Sequence, residues 1–343
     1  MAAKRTITVV GCHAEGEVGD VIVGGVLPPS GATMMERKLA FERDSDHIRR
    51  VLIQEPRGSV ARHVNLLVPA ARPDCAAGAI VMEPTEYPPM SGSNTMCIAT
   101  VLLETGMVEM VEPETTFALD MPGGKVDIIA ECRAGKCVSV TIRNVPSFAL
   151  SLDCPLEVEG HGRIRVDIAY GGMIYAIADA AALGFRLVPG EARDLALAGQ
   201  RIRAAARAQH PVVHPELADV HDVSIVQLAG PLAATADGFM ARNTCIVSPG
   251  RCDRSPTGTG LSARMAVLHA RGTLREGHTL VHESLIGSRF EGRIAGLMTV
   301  AGRPAITPTI KGRAWITGHH TYLVDPSDPW PEGYRVADTW GVA

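Results

Sequence analysis

Two stretches, PPMSGSN at residues 88–94 and DRSPTGTG at residues 253–260, each place a hydroxyl residue beside glycine just before an apolar run. The runs that follow, TMCIATVLLETG and LSARMAVLHARG, are apolar around most of a helical circumference, so each predicts a buried helix. Ser91 precedes Gly106 by 15 positions, and Thr257 precedes Gly272 by the same 15. Glycine is typical just past a helix end, where φ is positive. The equal spacing predicts a duplicated unit.

The order of elements around the two stretches is also duplicated. Before Ser91, the sequence predicts two strands, an amphipathic helix and two more strands, in the segments TITVVGC, EVGDVIVGG, MMERKLAFERDSDHIRRVLIQE, HVNLLVPA and GAIVME. Before Thr257, the same order is predicted in RIRVDIAYGGMIYAIAD, GEARDLALAGQRIRAAARAQ, DVSIVQLAG and RNTCIVSPG. We therefore expect two pseudo-symmetric α/β domains, 1–150 and 151–343, with the last ~25 residues packing back on the first.

The amino-acid composition and the absence of certain motifs argue against several classes of protein. The 343 residues are 46% hydrophobic and 20% charged, with a net charge of −4 and only 4% aromatic residues, which argues against a nucleic-acid partner. No apolar run is long enough to span a membrane, and no secretory segment is evident, so a cytoplasmic protein is expected. The eight cysteines form no C-x-x-C pair, which predicts free thiols and no metal site. No dinucleotide or P-loop motif is present, so no cofactor is expected.

A helix N-terminus suits a carboxylate, because its backbone N–H groups are unpaired and its end carries partial positive charge. If the two domains face each other across a cleft, Ser91 and Thr257 would lie on opposite sides of one α-carbon. That arrangement favours acid/base chemistry at a C–H bond beside a carboxylate. The alternative is ordinary helix capping, since Ser and Thr are common N-cap residues.

At these residues the sequence resembles the proline racemase family, whose fold is that of diaminopimelate epimerase. The resemblance covers nearly the whole chain and is carried by an ordered set of motifs: HAEGE at 13–17, EPRG at 55–58, YGG at 170–172, DRSPTGTG at 253–260 and ESLIGSRFEGR at 283–293. The family resemblance implies a small imino acid substrate and a homodimer.

The sequence differs from the family pattern at the catalytic positions. Family racemases carry two catalytic cysteines, where this sequence has Ser91 and Thr257, and a histidine where it has Ser93. Threonine at the second position implies a trans-3-hydroxy-L-proline dehydratase, which forms Δ1-pyrroline-2-carboxylate. Carried over, Ser91 abstracts the Cα proton and Thr257 is the facing residue that hydrogen-bonds the departing hydroxyl. The implied substrate-binding residues are Gly92, Ser93, Gly258 and Thr259 for the carboxylate and Asp253 for the ring nitrogen.

Serine poses a difficulty as a base, because a helix dipole supplies only about 0.3–2 kcal/mol, roughly one pKa unit. Ser91 therefore needs a helper base, a relayed water or concerted proton transfer, and His13, His214 and Asp253 are the candidate helpers. Cys97 is expected in the core and Cys252 in a loop, neither of them catalytic. Two alternatives stay open: 4-hydroxyproline epimerisation or proline racemisation, and a catalytically silent protein that binds a proline analogue.

Overall fold

The computed structural model describes residues 5–340. Five α-helices lie in this part of the chain: α1 (Met34–Ile53), α2 (Gly92–Glu104), α3 (Ala192–Gln209), α4 (Gly258–Ala270) and α5 (Ala337–Trp340). The first nine strands are β1 (Arg5–Ala14), β2 (Glu17–Gly24), β3 (Arg62–Val68), β4 (Ala77–Met82), β5 (Glu114–Met121), β6 (Gly124–Arg133), β7 (Lys136–Arg143), β8 (Phe148–Val158) and β9 (Gly162–Tyr170). The remaining nine are β10 (Ile174–Asp179), β11 (Ile225–Ala229), β12 (Ala233–Thr235), β13 (Gly238–Val247), β14 (Arg251–Cys252), β15 (Thr279–Glu283), β16 (Arg289–Val300), β17 (Arg303–Gly312) and β18 (Ala314–Val324).

The chain forms two compact units. One contains the residues up to Ile142 together with those from Gly312 onward, and the other is Arg143–Lys311. The sequence predicted domains at 1–150 and 151–343, with the last ~25 residues packing back on the first. There, β18 runs antiparallel to β1, from Ala14 opposite Ala314 to Arg5 opposite Val324. This pairing joins strands from opposite ends of the chain, and the sequence of either strand does not predict which strand it pairs with.

The two units share one order of pairing. In the first, β2 and β3 are parallel with α1 between them, β3 and β4 are antiparallel, and β4 and β5 are parallel with α2 between them. In the second, β10 and β11 are parallel with α3 between them, β11 and β13 are antiparallel, and β13 and β15 are parallel with α4 between them. The matched order confirms the α/β class and the internal duplication.

Helices α2 and α4 are the central helices of their units. Each has 13 residues, and all residues of α2 up to Leu103 are buried. Helix α2 packs on β1, β2, β3 and β18, and α4 packs on β8, β9, β10 and β16. Burial on all sides follows from their apolar composition. Gly106 and Gly272, with φ of 73° and 71°, lie just past the two helix ends, as their spacing predicted.

The eight cysteines are free, and all but Cys75 are buried. Between residues 5 and 340, no helix is both long and apolar enough to cross a membrane. The same stretch contains no group of three or more His, Cys, Asp or Glu side chains placed to hold a metal ion.

Candidate active site

Ser91 occupies the N-cap position of α2, but its side chain does not cap the helix. Its backbone is extended (φ −146°, ψ 124°), its carbonyl accepts from Thr95 N at 2.9 Å, and its hydroxyl makes no capping bond among the described residues. The Oγ atom instead accepts from Asn94 Nδ2 at 2.9 Å. The N–H groups of the first turn are therefore not taken up by the serine side chain.

A buried polar cluster supports Asn94. Its Oδ1 accepts from Asn65 Nδ2 at 2.9 Å, and its Nδ2 also lies 3.1 Å from His63 Nδ1. On the other side of the imidazole, His63 Nε2 lies 3.4 Å from Glu17 Oε1. All four side chains are buried, with Glu17 1% and His63 3% exposed. Buried polar groups need partners, and the contacts within this cluster come from β2, β3 and α2, with Asn65 Oδ1 left without a hydrogen bond among the described residues.

Thr257 begins α4 with a strained backbone. Its φ of 64° and ψ of 107° lie outside the regions that suit a β-branched residue. The Oγ1 atom donates to Asp253 Oδ2 at 2.6 Å, and the backbone N–H donates to Ser255 Oγ at 3.1 Å. Strain of this kind persists only where surrounding contacts impose it, and it is common in active sites.

Asp253 is the anionic group at this helix start. It is 6% exposed, and its Oδ1 accepts from Ser255 N at 2.8 Å and from Ser255 Oγ at 3.0 Å. Together with the Thr257 hydroxyl, three donors orient the carboxylate. A buried carboxylate of this kind is suited to pair with a secondary ammonium.

The residues expected to bind a carboxylate lie in the first turns of the two helices. Gly92 and Ser93 open α2, Gly258 and Thr259 open α4, and all four are buried. Thr259 Oγ1 is 2.6 Å from Tyr175 OH, which fixes this side chain against β10.

The YGG motif explains how the start of α4 is held. A Cβ atom added to Gly171 would lie 2.2 Å from the carbonyl oxygen of Thr259, so only glycine allows this approach. The motif therefore sets the position of the first turn of α4.

The other predicted residues have structural surroundings. His13 Nδ1 accepts from Gly16 N at 3.1 Å and its ring stacks on Trp315, while His214 packs edge-on against Tyr170. Burial lowers the pKa of both histidines. Cys97 is buried within α2 as expected. Cys252 lies in β14 and not in a loop as expected, because it pairs with Ile246 of β13, and its Sγ lies 3.4 Å from the carbonyl of Ala192. Of the three proposed helpers, only Asp253 hydrogen-bonds a candidate catalytic hydroxyl, and that hydroxyl belongs to Thr257.

The sequence analysis missed Glu17, His63 and Asn94. One signal was present: His63 and Asn65 are polar residues two positions apart in the apolar strand β3, so they share one face. Polar residues on the buried face of a strand indicate a specific hydrogen-bonding role.

The chain was compared with protein families and with solved structures. The family model described as Proline racemase matches residues 9–335. A hydroxyproline epimerase from Agrobacterium vitis, solved with bound trans-4-OH-L-proline, is 40% identical, with a TM-score of 0.91 over 99% of this chain and 98% of that one. A probable proline racemase from Agrobacterium radiobacter K84, solved with bound carbonate, is also 40% identical, with a TM-score of 0.91 over 98% of each chain.

A more distant structure shows the breadth of the fold. A PhzF-family phenazine biosynthesis protein from Bacillus anthracis is 10% identical with a TM-score of 0.57, over 93% of this chain and all of that one. At this identity the likeness concerns the fold alone. The expected fold, α/β of the diaminopimelate epimerase type, is confirmed.

Proposed function

Because the chain belongs to the proline racemase family, whose enzymes act on small imino acids, we propose that it dehydrates trans-3-hydroxy-L-proline to Δ1-pyrroline-2-carboxylate without a cofactor. The observation that carries this proposal is the pairing of Thr257 with Asp253 at 2.6 Å. Dehydration needs one competent acid/base group, whereas epimerisation needs one on each face of the α-carbon.

The stereochemistry of the substrate favours a single base. In trans-3-hydroxy-L-proline the 3-hydroxyl is trans to the carboxylate, so it lies on the same ring face as the Cα hydrogen. We assign Ser91 to that face. Its oxygen takes the Cα proton while its own hydroxyl proton passes to the departing 3-hydroxyl, which leaves as water. The resulting enamine gains a proton at C3 and loses one at nitrogen to become the cyclic imine.

This stereochemistry changes the role expected for Thr257. The departing hydroxyl lies on the Ser91 face in this assignment, so Thr257 does not assist it. We assign Thr257 to the other face, where its proton is held by Asp253 and an alcohol is a poor acid. It therefore does not return a proton to the α-carbon, which prevents formation of the D-isomer.

The remaining groups fit an imino acid. We assign the N–H groups of Gly92, Ser93, Gly258 and Thr259 to the carboxylate, because helix N-termini stabilise anions and the enolate-like charge that develops. We assign Asp253 to the ring ammonium.

The experiment is product analysis with trans-3-hydroxy-L-proline and, for the alternative below, trans-4-hydroxy-L-proline. Incubation with trans-3-hydroxy-L-proline should give a cyclic imine that an aldehyde reagent such as o-aminobenzaldehyde detects. Absence of product at high enzyme concentration would reject the dehydratase assignment.

A second candidate is hydroxyproline epimerisation, which the similarity to the Agrobacterium vitis enzyme favours. A change in the optical rotation of trans-4-hydroxy-L-proline, without imine from the 3-hydroxy isomer, would support this candidate instead. Thermal stabilisation by pyrrole-2-carboxylate with no turnover of either substrate would indicate a binding protein.

A homodimer and a cytoplasmic location stay predictions. Sedimentation equilibrium tests the first, and fractionation of the source cells tests the second.

A further inference from the structure

A continuous chain of polar contacts connects Ser91 to a buried carboxylate. Ser91 Oγ lies 2.9 Å from Asn94 Nδ2, which lies 3.1 Å from His63 Nδ1, while His63 Nε2 lies 3.4 Å from Glu17 Oε1. The contacts join the start of α2 to β3 and β2, all within one unit of the chain.

The amide of Asn94 fixes the direction of these bonds. Asn94 Oδ1 accepts from Asn65 Nδ2, which identifies the opposite atom of the amide as the nitrogen. An amide nitrogen only donates, so its two hydrogens go to Ser91 Oγ and His63 Nδ1. His63 Nδ1 must then be unprotonated, and the proton of the neutral imidazole is on Nε2, directed at Glu17.

We propose that His63 is a positioning residue for Ser91, which acts by holding the Asn94 amide so that an N–H points at the serine oxygen. The proposal rests on the catalytic role assigned to Ser91 above. A hydrogen bond donated to Ser91 Oγ stabilises its negatively charged form, and this adds to the effect of the helix N-terminus. The same bond leaves the Ser91 proton free to be given to a substrate.

Protonation of His63 disrupts this arrangement. A hydrogen on Nδ1 would oppose the Asn94 N–H, and the charged imidazole would be attracted to Glu83 Oε1, which lies 3.6 Å from Nδ1. Two carboxylates face the imidazole, Glu17 from β2 and Glu83 after β4, and α2 contributes the neutral Asn94. Turnover should therefore fall as pH decreases and Nδ1 gains a proton.

The test uses two substitutions at residue 63 in the full-length protein. In His63→Asn, the side-chain oxygen replaces Nδ1 as the acceptor but does not titrate, so kcat should stay within about tenfold and its acidic limb should disappear. In His63→Leu the side chain offers no acceptor to Asn94, and kcat should fall about 100-fold with little change in KM.

His214→Asn is the matched control. It replaces another buried histidine whose Nδ1 accepts backbone N–H groups, from Glu216 and Leu217, and it should keep the wild-type pH profile.

A measurement independent of turnover is NMR of protein with ¹⁵N-labelled histidine. At pH 8, the His63 resonances should show a proton on Nε2 and none on Nδ1. A proton on Nδ1, or an unchanged acidic limb in His63→Asn, would overturn the proposal. Full activity of Ser91→Ala would reject the role of Ser91 itself, while the tautomer measured by NMR would be unaffected.

Discussion

The Thr257 hydroxyl donates a hydrogen bond of 2.6 Å to Asp253. At the equivalent position of the other helix, the Ser91 hydroxyl accepts a hydrogen bond of 2.9 Å from Asn94. Both residues occupy the N-cap position of a central helix, but one hydroxyl accepts a hydrogen bond and the other donates one. In the proposed mechanism the Ser91 oxygen carries the developing negative charge, whereas the proton of Thr257 is held by the Asp253 carboxylate.

Replacing Thr257 with cysteine should introduce a second competent acid/base group. A thiol has an ordinary pKa near 8.5, several units below that of an alcohol, and a helix N-terminus lowers it further. We expect Thr257→Cys to exchange the Cα hydrogen of trans-4-hydroxy-L-proline with solvent deuterium and to change its optical rotation. The double variant Ser91→Ala/Thr257→Cys should show no change in rotation. Equal epimerase activity in the wild type and Thr257→Cys would contradict the role assigned to Thr257.

Removing the Ser91 hydroxyl should abolish turnover and spare binding. Loss of a positioned acid/base group costs about 10²–10⁴-fold in rate, and the backbone groups that bind carboxylate stay in place. The Ser91→Ala variant should therefore bind pyrrole-2-carboxylate with unchanged affinity by calorimetry while kcat falls by about 10³-fold. A variant that retains kcat would exclude Ser91 as the base.

Gly19 on β2 should be sensitive to the addition of one methyl group. A Cβ atom there would lie 2.7 Å from Asn94 Oδ1 and 2.9 Å from Cys97 Sγ, so Gly19→Ala must displace the amide that contacts Ser91. We expect kcat to fall at least about tenfold, with a loss of about 1–3 kcal/mol in the free energy of unfolding.

Gly24→Ala on the same strand is the control, because its Cβ would meet Thr8 Cβ at an ordinary 3.6 Å. In Gly24→Ala, both kcat and the free energy of unfolding should be nearly unchanged. Equal kcat in the two variants would show that the position of Asn94 is unimportant for turnover.

Stability should decline in acid because of His282 on β15. Burial, aided by the charge of Arg264, lowers the pKa of this imidazole from 6.5 to about 3. Between these values the unfolded chain binds a proton that the folded chain does not, so stability rises with pH across this window. The contribution is fully present above pH 6.5, and about 2 kcal/mol of it should be lost by pH 5.

Thermal melts from pH 7 to pH 4 test this prediction with His282→Leu. The variant should show a flatter dependence of Tm on pH, with a residual slope from His13 and His214, whose pKa values are also lowered. His221→Gln, at an exposed histidine, should follow the wild-type curve. A wild-type curve that is flat in this range would refute the prediction.

The sequence predicted helices α1 to α4, and it placed the two candidate hydroxyls, Ser91 and Thr257, at the starts of α2 and α4. The apolar circumference of α2 and α4 and the mixed periodicity of α1 are local signals, readable from a short window. The sequence predicted that the last ~25 residues pack back on the first domain, but it could not predict the pairing of β1 with β18, which joins residues 300 or more positions apart. The cluster behind Ser91 was missed for the same reason, since Glu17, His63 and Asn94 come from three separate segments.

The return of β18 to β1 has a consequence for synthesis on the ribosome. Residues 143–311 are contiguous, so this unit can complete its own contacts as soon as it emerges. The earlier unit must wait, with one edge of β1 unpaired, until the residues of β18 have been translated. An exposed strand edge is a template for unwanted association. The nascent chain is therefore most vulnerable to aggregation between the emergence of β1 and the emergence of β18.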